Sequence, residues 1–150
     1  MMKWLDMPPV WLAGALVLAW VQRTYLPMGL SFGPVWADLL GGLLVGGGLL
    51  LMALAIHEMR SKRTTVVPHR IPDALVTTGI FSRTRNPIYL GDSMILAGMI
   101  LYWDAVPALA LVPTFVWVIE NRFILPEEAR LRRKFVAQFA RYAQQVRRWV

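Results

Sequence analysis

Long uncharged runs, interrupted by one polar and basic stretch, set the pattern of this chain. The first apolar segment runs from about Pro8 to Leu26, with an unbroken core from Val10 to Val21. Gln22 and Arg23 close it, where an arginine can lay its stem on apolar surface and keep its charge at the interface. A cleaved leader needs a basic start and a small-residue cleavage site. Only Lys3 is basic there, offset by Asp6, and no such site follows, so a retained helix is expected. The second segment covers about 35–56 and carries no charge from Leu39 to Ile56. With its flanks it is long enough for the hydrocarbon core. Its glycines include Gly42 and Gly46, at the spacing that lets another helix approach closely. Packing inside the bundle is the expected use, and a homodimer is also allowed.

Residues 57–87 form a polar connection holding Arg60, Lys62, Arg63, Arg70, Arg83 and Arg85. A connection of this length suggests a functional segment. Two shorter apolar stretches follow, 88–103 and 106–125, joined by a turn around Asp104 and Pro107. A helix over the first of them rises only about 24 Å, against roughly 30 Å of hydrocarbon. Asp92 lies inside the first stretch, and Glu120, Asn121 and Arg122 inside the second. Ionisable groups at that depth normally face protein or a water-filled cavity. A basic helix is expected over 126–149, with Pro126 at its first position and Glu127 and Glu128 in its first turn. Leu131, Phe135, Phe139, Tyr142, Val146 and Trp149 recur at helical spacing, giving one apolar face that lies on an anionic membrane surface or packs under the bundle. The pattern predicts one domain over residues 1–150. Its fold class is an all-α membrane protein with about four transmembrane helices plus a C-terminal amphipathic basic helix.

Composition strengthens that expectation. Apolar residues make up 57% of the chain, against about 45–50% in soluble domains, and the mean hydropathy is +0.48. The net charge of +7 does not point to nucleic acid, because the basic residues flank apolar segments and no nucleic-acid-binding motif is present. Of the 16 Lys and Arg residues, Arg23 alone falls on the side opposite the rest. Four crossings with both termini cytoplasmic satisfy this distribution. The absence of cysteine excludes disulfide and thiolate chemistry. His57 and His69 lack the carboxylate spacing of a metal site, so no metal is expected.

The most informative run is Leu75-Val76-Thr77-Thr78-Gly79-Ile80-Phe81-Ser82-Arg83-Thr84-Arg85-Asn86-Pro87-Ile88-Tyr89-Leu90-Gly91. Asn86-Pro87 reads as an N-cap followed by proline at the first helical position. Arg85 beside the free N–H groups of that helix start makes a candidate carboxylate or phosphate site. Thr78-Gly79 permits a tight turn just upstream. The same residues could equally only cap the helix and anchor it to headgroups. Asp92, three residues past Tyr89, could orient Arg85 or Tyr89, or simply pack in the bundle.

This run, with Glu120-Asn121-Arg122 and Glu127-Glu128, resembles the isoprenylcysteine carboxyl methyltransferase and phospholipid methyltransferase superfamily of integral membrane enzymes. The resemblance covers roughly residues 60–149. It implies S-adenosylmethionine as cofactor and a lipophilic or amphiphilic methyl acceptor. It also implies a location in the bacterial inner membrane, with the active site facing the cytoplasm. The cofactor-binding residues it implies are Thr78, Gly79, Asn86, Pro87, Tyr89, Gly91, Glu127 and Glu128. Tyr89, Arg85 and Arg122 are the candidate catalytic residues. Val136 and Phe139 stand where family members often carry Gly and Tyr, while Tyr142, Val146, Arg148 and Trp149 fit the closing pattern. Two other functions compete. A sterol-type NADPH reductase shares a related C-terminal pattern, but its closing motif ends in a cysteine that this chain lacks. A non-enzymatic membrane factor could retain the fold.

Overall fold

The computed structural model describes residues 5–64 and 72–150. Those residues are all helical or irregular, with no strand among them. Helix α1 spans Pro8–Tyr25, α2 Pro34–Ser61, α3 Pro87–Tyr102, α4 Leu111–Ile119, α5 Leu125–Lys134 and α6 Val136–Gln145. Proline occupies the first turn of α1, α2 and α3, where its missing N–H costs nothing and its fixed φ suits the helix.

α3 is the central element. It packs on α1, α2 and α4, and Leu96 and Ile100 on it are fully buried with Ile119, Phe123 and Ile124 from the following helices. The seam with α2 is built on glycine. A Cβ on Gly41 would stand 2.6 Å from the Gly98 carbonyl oxygen, and one on Gly48 would stand 2.6 Å from that of Gly91. The reverse additions at Gly98 and Gly91 collide with Gly41 and Gly48 in the same way. Backbone therefore touches backbone at two points seven residues apart on each helix. Gly42 and Gly46, the pair singled out by its spacing, have nothing within 4 Å. The seam runs along the next row of the helix, so the small-xxx-small spacing marks a face that is open in this chain.

Two helices, Val35–Ser61 and Val106–Lys134, are long and apolar enough to cross a membrane, and α3 is a shorter apolar helix. Large apolar residues point outward along them, including Val35, Leu39, Leu43, Leu50 and Trp117. In water such a surface would drive association, whereas in lipid it is the expected exterior. The charge-poor ends of the bundle are tied together, because the Phe32 N–H donates to Asp104 Oδ1 at 2.8 Å.

Three boundaries differ from expectation. α2 continues to Ser61, past the expected 56, so the polar connection is shorter than 57–87. His57, exposed, sits on this extension, and Lys3, His69 and Arg70 lie outside the described residues. The segment expected to stop at 125 runs on without a break through a π-helical turn, Glu120–Ile124, into α5. Pro126 supplies the reason: in a regular α-helix its ring would strike the carbonyl of Arg122, and the wider turn relieves that conflict. The expected single helix over 126–149 is instead broken at Phe135 (φ −117, ψ 51) and ends at Gln145. This bend folds α6 back, so Phe139, Tyr142 and Val146 pack on Leu75, Phe81, Leu131 and Phe135. Of the two expected uses of the apolar face, packing under the bundle is the one observed.

Candidate active site

The C-terminal segment closes over the start of α3 through backbone contacts. The Arg85 N–H donates to the Arg147 carbonyl at 3.0 Å, and Asn86 Nδ2 donates to the Arg148 carbonyl at 2.9 Å. The buried Thr84 hydroxyl donates to the same carbonyl at 3.3 Å and accepts from the Asn86 N–H. Asn86 is thus the N-cap by position, but its side chain makes no cap bond. Its amide is committed to the closing segment, which leaves the first-turn N–H groups of α3 without a side-chain acceptor.

These contacts place Arg148 beside two glutamates. Its Nε and Nη2 donate to Glu128 Oε1 and Oε2, each at 2.9 Å, the bidentate geometry that a guanidinium fork favours. Its Nη1 reaches Glu120 in the π turn. Arg85 Nη1 lies 3.1 Å from Glu128 Oε1, with both side chains largely shielded from solvent. The hydrogen bonds to Glu128, then those to Glu120, hold the Arg148 guanidinium above its ordinary range, so it stays charged. Beside this network, the Tyr89 hydroxyl donates to Glu127 Oε1 at 2.6 Å. The neighbouring glutamates therefore divide their work: Glu127 holds the tyrosine and Glu128 two arginines.

Arg85, Asn86, Tyr89, Glu127 and Glu128 of this network border a cavity of about 390 Å³. Thr64, Arg85, Asn86, Tyr89, Asp92, Glu127, Glu128 and Arg130 contribute polar groups to it, while Met52 and Ile56 of α2, Pro8 of α1 and Ile124 contribute to an apolar side. Phe139 forms part of the wall under two cations, with the guanidinium carbons of Arg85 and Arg132 at 5.9 and 5.3 Å from its ring centre. Tyr142 also lines it and donates to the Phe81 carbonyl at 2.6 Å. Burial raises the pKa of its phenol, so the proton that it donates is retained. Val136 is exposed.

Of the residues singled out from sequence, Arg85, Asn86, Pro87, Tyr89, Glu127 and Glu128 come together at this cavity. Four do not line it. Thr78 donates to Glu58 at the end of α2, and Gly79 (φ +61) faces the same carboxylate, where a Cβ would stand 2.6 Å from Oε2. They dock the loop rather than wall the cavity. Gly91 is spent on the seam with α2. Arg122, in the π turn, pairs with Asp6 and lies 5.4 Å from the Trp11 ring centre, fastening that turn to the start of α1. It stands outside the cavity wall. Asp92 orients neither Arg85 nor Tyr89, since its carboxylate has no hydrogen-bond partner among the described residues. Sequence reasoning did not foresee the central place of Arg148. The signal was present, because two glutamates near the membrane need cations, and Arg148 lies in the closing pattern.

A helical membrane protein with a charged-rim cavity beside its central helix is the class that fold and site define. The chain matches the phospholipid methyltransferase family over residues 36–138, from the start of α2 into α6. It belongs to that family of membrane methyltransferases, as the Arg85-to-Gly91 run and the paired glutamates suggested. No curated protein matches the chain.

Proposed function

We propose that the chain transfers a methyl group from S-adenosylmethionine to a lipophilic or amphiphilic acceptor that reaches the cavity from the bilayer. The observation that carries this reading is the assembly of Tyr89, Glu127, Glu128 and Arg85 around one cavity with a charged rim and an apolar side. Its volume falls within the range of roughly 300–1,000 Å³ usual for small-molecule sites. Arg85 Nε is buried without an acceptor among the described residues, so the guanidinium keeps a donor for a ligand carboxylate. Glu127 and Glu128 suit ribose hydroxyls or an ammonium, and the Tyr89 ring suits a sulfonium cation. These residues fit the cofactor.

When bound, the cofactor supplies an electrophilic methyl group on a sulfonium. The chain supplies position and dryness. Glu127 fixes the Tyr89 ring, Glu128 ties Arg85 to the closing segment through Arg148, and that segment covers the start of α3. Holding two reactants in line and excluding water lowers the barrier without a nucleophilic triad. The topology we favour has four crossings with the charged rim facing the cytoplasm, which agrees with the basic residues at that end.

Calorimetric titration of the purified protein with S-adenosylmethionine, S-adenosylhomocysteine and NADPH tests the donor. Binding of the first two is expected. Binding of NADPH alone would overturn the reading in favour of a reductase, and no binding at all would favour a non-enzymatic factor. Radiolabelled cofactor with a membrane lipid extract then shows which lipid takes the methyl group.

A further inference from the structure

Residues 146–150, the closing segment, have no helix of their own, so their placement rests on contacts with other elements. Glu120 holds two consecutive ones. Arg148 Nη1 donates to its Oε1, and Trp149 Nε1 donates to its Oε2 at 3.4 Å. Arg148 also forks onto Glu128, eight residues further along the same helix. In a regular α-helix that separation leaves two side chains roughly 80° apart. The π turn reduces the offset, because the Leu125 N–H donates to the Glu120 carbonyl, five residues back, and the turn takes up more residues. Both carboxylates therefore face one guanidinium. They differ in one respect: Glu128 lines the cavity, and Glu120 stands outside its wall.

We propose that Glu120 is a positioning residue that keeps the closing segment over the cavity and so sets how fast the methyl donor leaves. This rests on the methyltransferase reading above. Arg85 and Glu128 are the groups a donor draws on, and a ligand that engages Glu128 weakens its hold on Arg148. Glu120 touches no ligand, so its grip is the same whether or not the donor is bound. Arg148 then has an anchor that binding does not disturb. Trp149, packed against the core that includes Tyr89, Phe123 and Ile124, stays in place with it. The carbonyls of Arg147 and Arg148 in turn stay on Thr84, Arg85 and Asn86, which shuts that end of the cavity to water. Without Glu120 the segment lifts more often, and the donor escapes through the gap.

The test uses full-length protein in phosphatidylcholine nanodiscs loaded with radiolabelled S-adenosylhomocysteine, with release followed after a chase of unlabelled compound. E120A should release it roughly tenfold faster, the weight of a hydrogen bond to a charged group, and E120Q should fall between E120A and the wild type. R122A, in the same π turn but paired with Asp6, should release at the wild-type rate. R148A removes the group through which Glu120 acts, so E120A/R148A should release little faster than R148A alone. Wild-type release from E120A overturns the proposal, and so does an E120A effect of full size with Arg148 absent. Hydrogen exchange without ligand gives a second reading: E120A should speed exchange in 146–150 and leave the α2–α3 seam protected. Equal loosening of both would make Glu120 a general stabiliser of the fold and contradict the proposal. Thermal unfolding confirms that each variant is folded, and E120Q carries the test if E120A is not. Failure of the wild type to bind S-adenosylhomocysteine would sink the methyltransferase reading, while exchange in 146–150 still decides whether Glu120 holds the closing segment.

Discussion

α3 shows two regions of opposite character. Toward α2 it presents Gly91 and Gly98, which bring the two backbones into contact. Toward the cavity it presents Tyr89 and Asp92, whose polar atoms need partners from elsewhere. The first region fixes the helix in register through shape alone. The second gains its geometry from charges on α5, the π turn and the closing segment. A rigid seam on one face lets the other face hold a costly polar arrangement, because the helix carrying it has no freedom to slide.

The comparison breaks hardest at the seam. Gly98→Leu should destabilise the bundle by about 3 kcal/mol or more, since the new side chain meets backbone that cannot move aside. Gly42→Ala, on the open row of α2, should be neutral or stabilise by up to about 1 kcal/mol through helix propensity. Thermal unfolding in detergent checks both, and equal losses would show that the seam runs elsewhere. On the polar side, Glu128→Gln removes the anion shared by Arg85 and Arg148 and should cost about 3 kcal/mol, read by the same melt. Arg122→Ala tests a pair that is half exposed and should leave the melt nearly unchanged, because solvent screens such pairs.

The smallest effect lies at the far end. The Phe32 N–H, then the Ser31 hydroxyl, and more weakly the Arg23 charge hold the Asp104 carboxyl below its ordinary value. A depressed carboxyl contributes stability that is present above its unfolded value, about 3.9, and is lost as pH falls through the folded value. Asp104→Asn should therefore flatten a small acid-side fall in melting temperature. Asparagine also tolerates the positive φ at this turn. An unchanged pH profile would show that the Phe32 contact contributes nothing.

How much of this could be read in the chain differs between the two regions. The apolar segments and the Arg85-to-Gly91 run carried the elements and the family, because hydrophobic periodicity and cap chemistry are local. The row of glycines that packs was not local. Gly41, Gly42, Gly46 and Gly48 look alike in sequence, and only the facing register of Gly91 and Gly98 separates them. The π turn hid for a related reason: Pro126 reads as a helix start, but a widened turn lets it lie inside a continuous helix. In the site, Tyr89 and Glu127-Glu128 were legible as residue types in a motif. The separation of Arg85 from Arg122 depended on the π turn, where Arg122 meets Asp6 rather than the cavity.

The direct measurement is the calorimetric affinity of E128Q and R122A for S-adenosylmethionine beside the wild type. If the cavity at Arg85, Tyr89 and the paired glutamates holds the donor, R122A binds as the wild type does. E128Q then loses about tenfold or more, the weight of a charge-assisted contact. Wild-type affinity in E128Q, or an equal loss in R122A, would contradict the assignment of the donor site to that cavity.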